Sequence, residues 1–330
     1  MATMVCVSHT VGYSIMGNSH YRGNRIMDPI NTNMPHGLWS IDPNAICARL
    51  GKPIDPNSID DYSKDYLLVG CRPHTMFKPG VEPNGFRWWW WDNSFLPHLR
   101  YPSFSNPTGD KAWSRLTYCD WGLPHNSEGE CVAPILQSHR DRINVRLKKL
   151  SGSTIKEISQ LWGGTKDQTP VTTKHALIVP SSPTNFSHFY NTTLDVWLNT
   201  VTGALKELGY TYRIRDKKGP NARKANQIIH EIDEHGHDCV IANHSAGASE
   251  AVLHGVPVVT TSDWNPARPV STTWEDFVFN GNIKTYSAKQ IDTWVTQCCA
   301  YTYHREELDM LSWIGIHPSA GHLRNQQHEE

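Results

Sequence analysis

Residues 238–269, reading DCVIANHSAGASEAVLHGVPVVTTSDWNPARP, bring together a short apolar strand, a turn of small and polar residues, a helix and a second strand. Cys239-Val240-Ile241-Ala242 is the strand, and Asn243, His244, Ser245, Ala246 and Gly247 form the turn. Ser245 stands where an N-cap is expected. Ala248, Ala251 and Val252 give the helix one apolar face, Gly255 ends it, and Val256-Pro257-Val258-Val259 is the next buried run. A helix starting at such a turn presents backbone N–H groups and its positive dipole end, which suits a diphosphate. Glu250, one turn in, is placed to reach ribose hydroxyls, and Arg268 follows on the loop beyond the next strand. In parallel sheets that loop edge gathers ligand-binding groups. The competing reading is that small residues at the turn only let strand and helix pack.

Other cations extend the same chemistry. Arg213 and Arg215 alternate with Tyr212 and Ile214, so they share one side of a strand, and Lys217 continues that side. With Ser181 at the end of the preceding strand they form a second candidate group for donor phosphates; the alternative is an ordinary solvated edge paired with the acidic run Glu231, Asp233, Glu234. Arg140, Arg142, Arg146, Lys148 and Lys149 make the densest basic segment, with Arg142, Arg146 and Lys149 at helical spacing along one face. That face suits nucleic-acid phosphates, although a plain solvated helix is the ordinary account of such a charge run taken alone. No D-x-D pair occupies a strand-end loop. His235-Gly236-His237-Asp238 follows a helix and reads as a glycine C-cap, so no metal site is expected.

These residues must be positioned by alternating strands and helices. His175–Pro180 is an apolar strand; Leu194, Trp197, Leu198, Val201, Leu205 and Leu208 recur at helical spacing; Tyr210–Ile214 returns as a strand; Ala225, Ile228, Ile229 and Ile232 line another helix. The order requires a doubly wound, mainly parallel sheet with right-handed crossovers. Upstream, residues 4–8, 66–70 and 86–91 are the clearest strands, and Trp88 to Trp91 must cover both faces of theirs. The expected organisation is an α/β domain over residues 1–165, a Rossmann-like domain over 166–320, a C-terminal helix within 288–315 that can cross back, and a polar tail at 321–330.

The 330 residues carry a net charge of −1, so any polyanion must be met by a local patch. Eight cysteines, among them Cys239 and Cys298 at apolar positions, form no framework and read as reduced core thiols. Neither a basic-then-apolar leader nor a run of membrane-spanning length is present, and a cytoplasmic protein without membrane association is expected.

Four segments carry a family resemblance: Asp92-Asn93-Ser94-Phe95 with Arg115; Tyr212-Arg213-Ile214-Arg215-Asp216-Lys217; His244-Ser245-Ala246-Gly247-Ala248 with Gly255-Val256-Pro257; and Ala267-Arg268-Pro269-Val270-Ser271. Together they resemble GT-B glycosyltransferases, most closely phage-encoded glycosyltransferase-like proteins of DNA base hypermodification, and more distantly transferases of capsular polysaccharide synthesis. The resemblance implies two Rossmann-like domains about a cleft, a nucleotide-sugar co-substrate such as a UDP-sugar, no permanently bound cofactor, and metal-independent transfer to a hydroxyl. It implies as acceptor a hydroxymethylated pyrimidine such as hydroxymethylcytosine in double-stranded phage DNA. An inverting reaction needs a base, for which Asp92, following an apolar aromatic strand, is the first candidate, with His9 and His20 in reserve. An Asx-turn explains Asp92 as well. A glycan acceptor, or a non-catalytic module binding nucleotide or modified DNA, are the other readings of the same residues.

Overall fold

The computed structural model describes residues 4–6, 65–69, 87–96, 99, 113–126, 130–151, 154–155, 157, 165–215, 227–304, 307 and 312–320. The strands are β1 (Met4–Cys6), β2 (Asp65–Val69), β3 (Arg87–Asn93), β4 (Trp113–Tyr118), β5 (His175–Val179), β6 (Thr211–Ile214), β7 (Cys239–Ala242), β8 (Val258–Thr260), β9 (Thr272–Thr273) and β10 (Thr302–His304). The helices are α1 (Gln137–Ser151), α2 (Pro183–Phe189), α3 (Leu194–Glu207), α4 (Gln227–His235), α5 (Gly247–Leu253), α6 (Trp274–Asn280) and α7 (Ala288–Ala300). The chain forms two compact units. One comprises Met1–Ser94, Pro102–Trp121 and Ala300–Glu330; the other comprises Phe95–Tyr101 and Gly122–Cys299, so α1 falls in the second.

The first unit holds a five-stranded sheet in the order β1-β2-β3-β4-β10, parallel across β1, β2 and β3 and antiparallel beyond. The tryptophan run of β3 covers both sheet faces, as alternation demands. Trp88 and Trp90 meet Trp121 with ring centroids 4.3 and 5.0 Å apart, while Trp89 meets Trp313 and His317 at 4.8 Å each. β4 hides from a pattern search because all of Trp113, Ser114, Arg115, Leu116 and Thr117 are buried, so no polar alternation marks it. Its Arg115 sits opposite Asp92 in register, pairs with that carboxylate at 3.2 Å and lies 3.9 Å from the Trp90 ring centre. Asp92 therefore faces a guanidinium rather than the apolar surroundings expected for it.

The second unit contains the predicted parallel sheet, in the order β6-β5-β7-β8-β9 with every pairing parallel. Its core joins Ala176 and Ile178 of β5 and Ile241 of β7 to Trp197, Val201 and Leu205 of α3 and to Phe277 of α6. Helix ends follow local chemistry: Thr193 Oγ1 accepts the Val196 N–H at the start of α3, Thr273 Oγ1 accepts the Asp276 N–H at the start of α6, and Gly281 closes α6 at φ 68°. α2 was not expected, and Ser182, at the end of β5, is spent on it as N-cap for the Asn185 N–H. The single helix expected within 288–315 stops at Ala300, because Tyr301, Thr302 and Tyr303 favour an extended chain and β10 pairs with β4. Among the described residues no helix is long and apolar enough to cross a membrane.

The amino edge of this sheet carries a titratable device. Gly236 (φ 65°) turns the chain out of α4 as a C-cap and places His237 against His175, rings 4.4 Å apart and 17° from parallel. Neither His237 nitrogen has a hydrogen-bond partner, and the residue is 4% exposed. Burial, followed by the positive fields of His175, His235 and Arg213, pushes His237 down to about 4. A histidine depressed on folding gives stability that is complete above its ordinary value of 6.5 and is lost as pH falls through the folded value. Thermal unfolding measured from pH 7.5 downward should show the midpoint falling between pH 6.5 and about 4. His237→Phe should flatten that decline; equal slopes in the two proteins would dismiss His237 as its source.

Candidate functional site

The strand order reverses between β5 and β7, because the chain leaves β5 toward β6 on one side and places β7, β8 and β9 on the other. At such a switch point the loops beyond the carboxyl ends diverge and leave a crevice. Val179 pairs with Ala242, so the next residues on each strand are neighbours at that edge. Ser181 is 4% exposed and Asn243 1% exposed. Asn243 Nδ2 donates to Thr261 Oγ1 at 3.1 Å, whereas Asn243 Oδ1 and Ser181 Oγ are enclosed without any hydrogen-bond partner.

The turn after β7 differs in detail from the expected one. Ala246, not Ser245, occupies the N-cap position of α5; Ser245 Oγ accepts the Gly247 N–H at a long 3.4 Å, and the Ala248 N–H closes back on the Ser245 carbonyl at 3.1 Å. These tight turns consume donors that a phosphate was expected to use, and α5 has only seven residues. Gly247 is required by packing, since a methyl there would overlap Ile228 Cδ1. Glu250 is 5% exposed on a helix whose every residue is buried. His244 stacks on Phe189, centroids 5.6 Å apart and 7° from parallel.

The loop after β8 is braced from several directions. The Asn265 side chain, fully buried, donates to the carbonyls of Asn243 and Ser245, and its Oδ1 accepts the Ala267 N–H at 2.8 Å. Trp294 Nε1 donates to the Pro266 carbonyl at 2.8 Å. The Tyr190 hydroxyl and Ser262 Oγ share a 2.5 Å hydrogen bond, and the Trp264 ring lies 5.5 Å from Tyr190 and 6.1 Å from Phe189. Rings from the end of α2 and from the loops after β7 and β8 thus lie together, with Tyr190, His244 and Trp264 half-buried. Arg268 opens the short 3₁₀ turn that follows. Its guanidinium is mostly covered and pairs at 3.0 Å with the Asp263 carboxylate, which is 80% exposed.

Arg213 and Arg215 do share one side of β6, but both address Glu231 of α4, at 3.2 and 3.7 Å, which is the ion-pair alternative raised for them. Lys217, His9 and His20 lie outside the described residues. Asp92 belongs to the other unit. On α1, Arg140 pairs with Asp292 at 2.7 Å and Arg142 donates to the Cys299 carbonyl at 3.2 Å. The basic face is therefore not the open stripe that helical spacing implied: two of its cations serve α7, Arg146 is half-buried, and Lys148 and Lys149 are exposed in the last turn. Among the described residues no group of three or more His, Cys, Asp or Glu is placed to hold a metal ion.

Three participants escaped the sequence reading. Trp264 and Asn265 were within the stretch singled out, and an asparagine in a loop just past a strand is a signal for backbone bracing. His125 gave no signal at all; Arg268 and Asp263, more than a hundred residues away in sequence, act on its ring electrostatically. No protein-family model matches this chain, and no curated protein matches its sequence. Among solved structures, that described as Thermosulfurimonas dismutans KpsC, beta Kdo 2,7 transferase, is similar with a TM-score of 0.35 and 13% identity, over 74% of this chain and 83% of that one. A likeness at that level establishes neither a shared fold nor a shared activity.

Proposed function

We propose that the second unit binds a nucleotide sugar at the carboxyl edge of its parallel sheet and that the protein is a glycosyltransferase of GT-B type acting on a hydroxyl. The observation that carries the reading is the pair of partnerless polar groups, Ser181 Oγ and Asn243 Oδ1, on adjacent strand ends at the switch point. Leaving a buried polar group unpaired costs about 1–3 kcal/mol. Two together, where parallel α/β sheets take ligands, are best explained by a hydroxyl-bearing ligand met when their side chains turn outward. Arg268 supplies the positive charge for a diphosphate, a task that falls to it because α5 is short and its first donors are engaged. The half-buried Trp264 and Tyr190 offer a flat apolar surface for a base or sugar ring. A nucleotide sugar combines hydroxyls, diphosphate and rings in one molecule; a uridine nucleotide is the first donor to test.

For the acceptor, a hydroxymethylated pyrimidine in duplex DNA would meet Lys148 and Lys149, exposed in the last turn of α1. A soluble or lipid-linked glycan is the alternative. Release of nucleoside diphosphate from a panel of UDP-, GDP- and CDP-sugars and CMP-linked sugars, with hydroxymethyl-containing DNA or glycans added, tests all of this. Acceptor-dependent release that persists in EDTA is the expected result. Binding without turnover would reduce the protein to a nucleotide-binding module, and no binding of any donor would defeat the reading.

A further inference from the structure

Thr261 follows β8 directly, and its N–H extends the ladder to the Ala242 carbonyl at 2.9 Å. Its Oγ1 meets two side chains. The indole N–H of Trp197, from α3, donates to it at 2.9 Å, and Asn243 Nδ2, from the end of β7, donates at 3.1 Å. Both of these groups are donors only, and a hydroxyl oxygen has two lone pairs and one hydrogen. The lone pairs are therefore occupied, and the hydrogen is left to point along the remaining direction. Among the described residues Thr261 Oγ1 has no acceptor for it. Turning the Asn243 amide over gives no way out. Thr261 then donates to Oδ1, but the amide nitrogen and its two hydrogens take the place where Oδ1 is enclosed without a partner. Buried N–H groups are left orphaned more rarely than carbonyl oxygens.

Other hydroxyls of the second unit are used differently. Thr193 Oγ1 and Thr273 Oγ1 each accept one helix N–H, Ser182 Oγ passes its hydrogen to Asn185 Oδ1, and Ser271 Oγ passes its own to the Arg268 carbonyl. Thr261 is half-buried at the carboxyl edge of the sheet, while Trp197 and Asn243, which hold its oxygen, are buried. One O–H is thus kept in a set direction at the end of β8. The loop that begins there continues through Ser262, tied to Tyr190, and Asp263 to Arg268.

We propose that Thr261 donates a hydrogen bond to a non-bridging phosphate oxygen of the bound nucleotide, with Trp197 and Asn243 as its positioning residues; this rests on the nucleotide-sugar reading above. A donor whose own acceptor capacity is filled selects a ligand atom that only accepts. Sugar hydroxyls and base edges offer donors as well as acceptors, whereas the non-bridging oxygens of a diphosphate offer acceptors alone and carry charge. Arg268 on the same loop favours that charge. The phosphate contact expected at the turn before α5 passes in this way to the loop after β8, because tight turns occupy the first donors of α5. A ligand presenting an ammonium or amide N–H at this point meets a donor facing a donor.

The test is calorimetry of the full chain with UDP and with UDP in which sulfur replaces a non-bridging oxygen of the α- or the β-phosphate. Sulfur is the poorer hydrogen-bond acceptor, so the wild type should bind one of the analogues several-fold more weakly than UDP. Thr261→Val, which keeps the shape and loses the hydroxyl, should bind UDP roughly 10- to 150-fold more weakly. In it the preference for oxygen at that phosphate should vanish, and Thr261→Ser should keep both affinity and preference. A hydroxyl that only braced Trp197 and Asn243 would leave the oxygen preference in place when removed. Unchanged UDP affinity in Thr261→Val, or an oxygen preference that is absent from the wild type or survives in the variant, overturns the proposal and leaves the donor site standing. No binding of UDP by the wild type overturns both. Should Thr261→Val fail to fold, the methyl resonance of Thr261 in the wild type decides the matter: displacement by UDP but not by uridine supports the role, and displacement by both or by neither overturns it.

Discussion

Asn265→Ala should be among the most damaging single substitutions in the second unit. The side chain is fully buried and joins the loop after β7 to the loop after β8, donating to Asn243 and Ser245 and accepting from Ala267. Its removal leaves the Asn243 carbonyl and the Ala267 N–H without those bonds in an enclosed place. Each orphan costs about 1–3 kcal/mol, so a loss of roughly 2–5 kcal/mol is expected in urea unfolding. Asn265→Asp keeps the acceptor for Ala267 and turns the donor into a repulsive acceptor, so it should recover little. Because the two loops carry Asn243 and Arg268, UDP-glucose binding should weaken as well. A stability change below about 0.5 kcal/mol, the range of ordinary surface substitutions, would show that the asparagine braces nothing.

Arg268→Ala should behave in the opposite sense, with a large loss of binding and a small loss of stability. Among the described residues Arg268 forms its ion pair with Asp263, which is 80% exposed, and a pair with so solvated a carboxylate contributes about 0–1 kcal/mol. A charge-assisted contact to a diphosphate contributes about 1.5–3 kcal/mol, equivalent to a roughly 10- to 150-fold weaker Kd for UDP-glucose when it is removed. Arg268→Lys retains the charge and loses the planar fork, so its affinity should fall between the two. Unchanged affinity in Arg268→Ala would remove this residue from the site, and a collapse of stability would mean that its role is structural.

The parallel sheet was readable because its inner strands are buried on both faces and consist of uninterrupted apolar runs: Ala176 to Val179, Cys239 to Ala242, and Val258 with Val259. α3 was equally plain, with Trp197, Val201 and Leu205 at helical spacing beneath a polar surface. Local pattern failed where burial and polarity coincide, as in β4 with its buried Ser114, Arg115 and Thr117. It also failed at α2, whose Thr184, Asn185, Ser187 and His188 dilute the apolar signal around Phe186 and Phe189. For the candidate site, periodicity correctly set Arg213 and Arg215 on one side of β6. Which partner they meet depends on the orientation of α4, and Glu231 on that helix is a fact of tertiary packing. The same holds for Arg140 and Arg142, whose partners Asp292 and Cys299 lie about 150 residues away. Ser181, Asn243 and Arg268 follow the carboxyl ends of three parallel strands, β5, β7 and β8. Asn265, which braces the loop after β8 against the loop after β7, depends on the same convergence, and no spacing rule reaches that far.

β10 bears on how the protein is made. The antiparallel partner of β4 is supplied by Thr302–His304, after all of Gly122–Cys299 has been synthesised. On the ribosome the long contiguous segment of the second unit therefore emerges whole while the sheet of the first still has an unfilled edge at β4. Until residues 302–304 leave the exit tunnel, that edge presents unpaired backbone groups beside the tryptophans of β3, which is a surface for nascent-chain chaperones or for mispairing between neighbouring chains. Premature termination near residue 300 would thus damage the strands made first more than those made last.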